Sequence, residues 1–380
     1  VYRPFARLAF ASMLLLGAPL GVWIAGGRAT AQLVWLHAAT QLFGFFATLI
    51  VGVAHHLLPR FTGRPVRATV LTPWLLGALA AALLLRAIGP AWPLAAIAGA
   101  VSHAVALAAF AAWVWRMLDP GPLRLLRAQL TVSTLWLTGA AALETWLRIR
   151  GAGIPDAKWM QVVYAMALVG GVLGWVLGVL LRAGPMFVRE WLVPSWLARA
   201  TPWALALSVT LAALGAAGAP AIAARAGDAL ALATVAGVVL AAGTLGRSRG
   251  ALPMLSRSVP EARIFRVAAA SAVTGTGLAL IALGLGSDVP RSLTDAIRHL
   301  LAIGVIGAVV IAMTFRLIPV LERRALPRAP LREIALAALI AAVVLRTAQG
   351  VLPPVWREVS GVLAVVAFAC PAVGLVRWRD

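Results

Sequence analysis

The sequence predicts an all-α integral membrane protein of about twelve transmembrane helices, with both termini on the cytoplasmic side. Three observations lead there. Of 380 residues, 62% are apolar and 12% are charged, against about 45–50% and about 25% in a soluble domain. Apolar runs long enough to cross a bilayer recur to the end of the chain, which a signal peptide does not do. Arginines, prolines and glycines punctuate those runs. Mean hydropathy is +0.95, so lipid is the expected solvent.

A helical span needs roughly 20 apolar residues. Runs of that kind fall at about 5–25, 33–58, 72–90, 93–117, 128–148, 160–182, 203–222, 226–246, 265–284, 293–316, 332–350 and 356–376. The breaks read RFTGRPVR at 60–67, DPGPLR at 119–124, RGAGIPDAK at 150–158, RSRG at 247–250 and ERRALPRAP at 322–330. Short connections predict antiparallel hairpins within a single transmembrane domain spanning 1–380. With the N-terminus inside, 23 of the 33 basic residues fall on the cytoplasmic side, which is the positive-inside arrangement. The net charge of +21 therefore reads as topology and headgroup contact rather than nucleic-acid binding. The 15 tryptophans suit interfacial belts. A single cysteine, Cys370, excludes an internal disulfide and a cysteine-rich metal site.

The second span carries the densest polar pattern, WLHAATQLFGFFATLIVGVAHHLLPRFTGRP at 35–65. At about 100° per residue, His37, Gln41, Gly44, Thr48, Gly52 and His55 share one stripe. Leu42, Phe46, Leu49 and Val53 take the other face, toward lipid or an apolar neighbour. Gly44 and Gly52 leave room on the polar stripe for a flat object or for a closely packed helix. His37 and His55 lie roughly 27 Å apart along the axis and cannot share one ion. An imidazole inside a bilayer is a functional candidate and a common metal ligand. The alternative for His37 is an interfacial residue bonded to a neighbouring helix.

The chain has five histidines: His37, His55, His56, His103 and His299. His299 opens the tenth span, RHLLAIGVIGAVVIAMTFR. Spans two and ten run the same way, and each histidine lies near the outer face. That is the placement for two axial ligands of one haem, with Ile303, Ile306, Val310 and Met313 as an apolar stripe. Coincidence is the competing reading. His55 is a candidate ligand for a second haem or a metal, and His56 a headgroup-level residue. His103 reads as a hydrogen-bonded packing residue ahead of a ligand or proton relay. Glu144 reads as a partner of Arg148 ahead of a proton acceptor. Gly170, Gly174 and Gly178 form a helix-packing face. No phosphate loop, dinucleotide fingerprint or covalent haem motif occurs, which argues against nucleotide chemistry and c-type haem.

Three blocks resemble the NnrS family. They are His37, Gly44, Phe45, Gly52, Pro59 and Thr62-Gly63-Arg64-Pro65; then Gly184-Pro185-Met186-Phe187; then His299, Gly304, Met313 and Arg316. The resemblance implies a twelve-helix bacterial inner-membrane protein linked to nitric oxide and nitrosative stress, with haem b and, in the family, copper. The family pattern has a second histidine and an acid shortly after the first histidine, where this chain has Ala39 and Thr40. It has a further histidine after the tenth span, where this chain has Val320-Leu321-Glu322-Arg323. Those departures argue against copper, and the site reads as haem alone, on His37 and His299. The chain also looks similar to catalytic subunits of haem–copper oxidases and nitric oxide reductases, which implies a bundle of that type. Two haems and a tris-histidine copper would need six histidines, so a complete binuclear centre is disfavoured. Two rival functions are a haem-b electron-transfer subunit working with quinol or a redox partner, and a cofactor-free carrier or scaffold.

Overall fold

The computed structural model describes residues 2–64, 70–118, 124–153, 155–187, 193–241, 260–286, 288–322 and 327–377. Among them there are twelve long helices and no strand. In chain order these are α1 (Tyr2–Ala25), α2 (Ala31–Thr62), α3 (Leu71–Ile88), α4 (Pro93–Leu118), α5 (Arg124–Arg150) and α6 (157–187). Then follow α7 (Ser195–Ala217), α8 (Ala221–Ala241), α9 (Pro260–Gly284), α10 (291–322), α11 (Ala329–Thr347) and α12 (Val355–Arg377). Ten are long and apolar enough to cross a membrane. The other two, α5 and α11, carry more polar and charged side chains along their length. The chain is therefore an all-α, multi-pass membrane protein. The breaks at 119–123 and 247–250, together with Pro65 and Arg323, lie outside the described residues, as do the side chains of Pro185, Met186 and Phe187.

One predicted boundary moves. The expected spans 203–222 and 226–246 are separated earlier, by helices Ser195–Ala217 and Ala221–Ala241, and 242–246 lie outside the described residues. The turn is Gly218-Ala219-Pro220, with Gly218 at φ +114°, a conformation that L side chains rarely adopt. Pro220 then leads into α8, since a missing N–H costs nothing where a helix begins. Arg225 lies inside α8.

The helices form two compact units. The first comprises residues 1–24, 28–178 and 212–218. Its central helix is α2, whose apolar window is 89% buried. Leu42, Phe46 and Leu49 are all buried, so the bulky face of α2 meets protein rather than lipid. The small face meets α1. A Cβ on Gly52 would lie 2.5 Å from Phe5 Cβ, and one on Gly44 2.6 Å from Leu83 and 3.2 Å from Ser12. The closely packed helix is thus what the glycines accommodate. Exposed Trp23, Trp92, Trp146 and Trp159 mark one end of the unit, and Trp74 and Trp115 the other. Arg28 caps Trp23 at 4.4 Å and Arg150 caps Trp146 at 5.0 Å, as expected where aromatic rings sit at headgroups.

The predicted glycine face of α6 packs on α5. A Cβ on Gly170 would lie 2.5 Å from Trp136 and one on Gly178 2.6 Å from Leu130, while Gly174 is closed by Ser133. Close approach allows polar staples: Gln129 Nε2 donates to the Gly174 carbonyl at 3.0 Å, and Trp175 Nε1 donates to Thr134 Oγ1 at 2.9 Å.

The second unit comprises residues 25–27, 179–211 and 219–380. Here α9 packs against α8, α10 and α11, and α12 packs along α11. Ser208 Oγ donates to the Gly227 carbonyl at 2.6 Å and Ser360 Oγ to the Ala342 carbonyl at 2.9 Å. Ser271 closes Gly304 at 2.5 Å.

π-helical stretches interrupt α1 at Met13–Gly17, α2 at Thr40–Ala47, α6 at Ala165–Leu173 and α10 at Leu300–Gly307. Such stretches are rare and recur near functional sites. Two of them begin just after His37 and His299.

Candidate functional site

The first unit holds a buried ionic network near one end of its helices. Arg86 of α3 meets Glu144 of α5 fork to fork, Nη1 to Oε1 at 2.6 Å and Nη2 to Oε2 at 2.7 Å. Arg148, one turn beyond Glu144, donates Nε to Oε1 at 2.8 Å and Nη1 to the Gly153 carbonyl at 2.9 Å. Arg86 Nε donates to His103 Nδ1 of α4 at 2.9 Å. His103 and Glu144 are fully buried, Arg86 is 2% exposed and Arg148 is 7% exposed. Because Nδ1 accepts, the His103 ring is neutral and carries its proton on Nε2. That Nε2 has no hydrogen-bond partner among the described residues; the ring lies 5.7 Å from Phe43.

The backbone permits this cluster. Gly99 of α4 faces the Arg86 main chain, and a Cβ there would lie 2.9 Å from the Ala82 carbonyl and 3.1 Å from Arg86 N. Ser102 Oγ donates to the Ala78 carbonyl at 2.9 Å, which pins α3 to α4. The close approach brings the guanidinium level with His103 and Glu144. His103 is thus hydrogen-bonded through Nδ1, and Glu144 has a second partner besides Arg148. Arg86 and Gly99 are the parts that sequence reasoning missed.

The remaining candidates sit apart from the network. His37 Nδ1 lies 2.7 Å from the carbonyl of Gly17, where the π turn of α1 ends. Its Cε1 fills the gap left by Gly21, 2.6 Å from where a Cβ would stand. His55 Nδ1 lies 2.7 Å from the Val51 carbonyl, and its ring stacks on Trp113 at 4.0 Å. With the proton on Nδ1, His55 Nε2 keeps an unused lone pair, buried and without a partner among the described residues. In the second unit, His299 Nδ1 lies 2.8 Å from the Asp295 carbonyl. Arg346 Nη2 donates to His299 Nε2 at 2.8 Å and pairs with Asp295 Oδ2 at 3.2 Å. Gln349 Nε2 completes this group at 2.9 Å from Asp295 Oδ2. Met313 of α10 is half-buried.

These histidines differ in how they fit a haem iron. All three direct Nδ1 at a backbone carbonyl, which makes Nε2 the lone-pair nitrogen, the arrangement usual for metal-binding imidazole. His55 fits that chemistry, and His37 shares its Nδ1 anchoring. At His299 the same lone pair is held by a guanidinium, which ligation would have to displace. Gly44 and Gly52 are filled by α1 and α3 and offer no flat face. Among the described residues, no group of three or more His, Cys, Asp or Glu side chains could hold a metal ion.

The fold and this polar interior define a class: a multi-pass helical membrane protein with conspicuous buried histidine and arginine chemistry. The chain belongs to the NnrS family, for the family model described as NnrS protein matches residues 2–378, nearly its whole length. Compared with curated proteins individually, it matches none of them.

Proposed function

We propose that this NnrS-family protein binds haem b in the bacterial inner membrane and acts in the response to nitric oxide, with His37 as an axial ligand. The observation that carries the reading is the anchoring of His37 Nδ1 on the Gly17 carbonyl. It fixes the ring and makes Nε2 the lone-pair nitrogen. Family membership supplies the link to nitric oxide. Haem held this way supplies one-electron chemistry, or an iron position at which nitric oxide can bind. His299 as second ligand rests on the sequence pattern, and its ligation requires Arg346 to release Nε2.

The test is the visible absorption spectrum of protein purified from haem-replete cells. A Soret band with haem near one equivalent or more per chain supports the reading. Its absence sinks it and favours a cofactor-free carrier or scaffold, a reading that the occupied Gly44 and Gly52 faces and the Arg346–His299 contact support. If haem is present, rapid reduction by a quinol places the protein among electron-transfer subunits instead. Metal analysis decides on copper.

A further inference from the structure

The ionic network of the first unit borders a cavity of about 30 Å³. Its walls include Arg86, Arg148, Gln32, Trp35 and Ala39. The volume is on the order of two water molecules. The charges around it do not cancel. Arg86 and Arg148 each carry a full positive charge, since guanidinium does not deprotonate in proteins. Glu144 supplies one negative charge, shared by both arginines, and His103 is neutral. The cluster is therefore one positive charge in excess, in a site where all four side chains are buried.

The hydrogen-bond count agrees. A guanidinium has five N–H donors. Arg86 spends three, on His103 and on both Glu144 oxygens. Arg148 spends two, on Glu144 and the Gly153 carbonyl. The unspent donors belong to the two residues that line the cavity. An uncompensated buried charge costs several kcal/mol, so the excess charge and the unspent donors call for the same thing, an acceptor carrying one negative charge.

We infer that this cavity is a binding site for a small monovalent anion, held between Arg86 and Arg148. Planar oxyanions of three or four heavy atoms, and halides, fit its size and charge. A guanidinium binds two oxygens of a planar oxyanion side by side. The headgroup phosphate of an anionic lipid shares the charge chemistry, and the experiment separates it from a free ion. The site is independent of haem.

The experiment is thermal unfolding of the purified full-length protein in a neutral detergent, followed by intrinsic fluorescence. Nitrate, formate and chloride are titrated against gluconate at equal ionic strength. The expected result is a saturable rise of about 2–4 °C with nitrate or formate, and no rise with gluconate. Arg148→Gln removes the excess charge and loses the response. Ala39→Val keeps both arginines, narrows the cavity and also loses it, so the question stands even if Arg148→Gln fails to fold. An equal rise with gluconate, or a full nitrate response in Ala39→Val, overturns the inference. So does an Arg148-dependent rise with short-chain phosphatidylglycerol where nitrate gives none.

Discussion

Arg86 and Glu144, 58 residues apart in sequence, meet in two parallel hydrogen bonds of 2.6 and 2.7 Å inside the first helical unit. The pair ties α3 to α5, and His103 and Arg148 extend it to α4 and to the turn after α5. A bidentate pair of this kind fixes orientation as well as distance. Its consequences can be measured.

Glu144→Gln leaves two buried guanidinium groups with no carboxylate between them. Breaking a buried pair by removing one partner costs about 3–5 kcal/mol. The expected outcome is a large drop in unfolding temperature and in yield from membranes, with Glu144→Asp intermediate. A loss below about 1 kcal/mol, the range of an exposed pair, would mean that the network is hydrated and does not hold the helices.

Gly52→Ala tests the packing of α2 on α1. The added methyl would lie 2.5 Å from Phe5 Cβ and 3.2 Å from the Tyr2 carbonyl, and neither is a flexible side-chain end. Overpacking of this type costs about 1–3 kcal/mol. Gly77 of α3 has nothing within 4 Å of an added Cβ, so Gly77→Ala gains roughly 0.5–1 kcal/mol from helix propensity. The two variants, compared by unfolding temperature, are expected to shift in opposite directions.

Trp175 and Thr134 join α6 to α5 through one hydrogen bond of 2.9 Å. Trp175→Phe and Thr134→Val each remove it, at about 0.5–1.5 kcal/mol for the bond itself. The double variant is expected to cost less than the sum. Strict additivity in a thermal-unfolding cycle would show that the bond contributes nothing.

Arg346→Gln frees His299 Nε2 from its cation at 2.8 Å. Acylation of His299 by diethyl pyrocarbonate, read by mass spectrometry, is expected to rise several-fold, because that reagent attacks an unprotonated ring nitrogen. An unchanged rate would mean that the guanidinium does not guard the ring.

The helical membrane class is legible in the recurrence of apolar runs, and the glycine face of α6 in its four-residue spacing. The α7–α8 boundary is not: Arg225 resembles a terminus, while the short Gly218-Ala219-Pro220 turn hides among alanines. Arg86 is hidden for a related reason. One arginine near the end of LLLRAIGP reads as a boundary charge, and its partners lie 17 and 58 residues away. Sequence periodicity reports which residues share a face of one helix, not which faces meet. Glu144 shows the same limit, since its i,i+4 partner Arg148 is visible locally and Arg86 is not. The π-helical stretches have no clear sequence signal, because glycine-rich apolar runs suit regular helices equally well.

Haem ligation by His37 is tested most directly by reduced-minus-oxidised difference spectra of the full-length protein and of His37→Ala, His55→Ala and His299→Ala. The expected result is a low-spin haem b spectrum in the parent that is lost in His37→Ala. A parent without haem, or a His37→Ala variant with an unchanged low-spin spectrum, would contradict it.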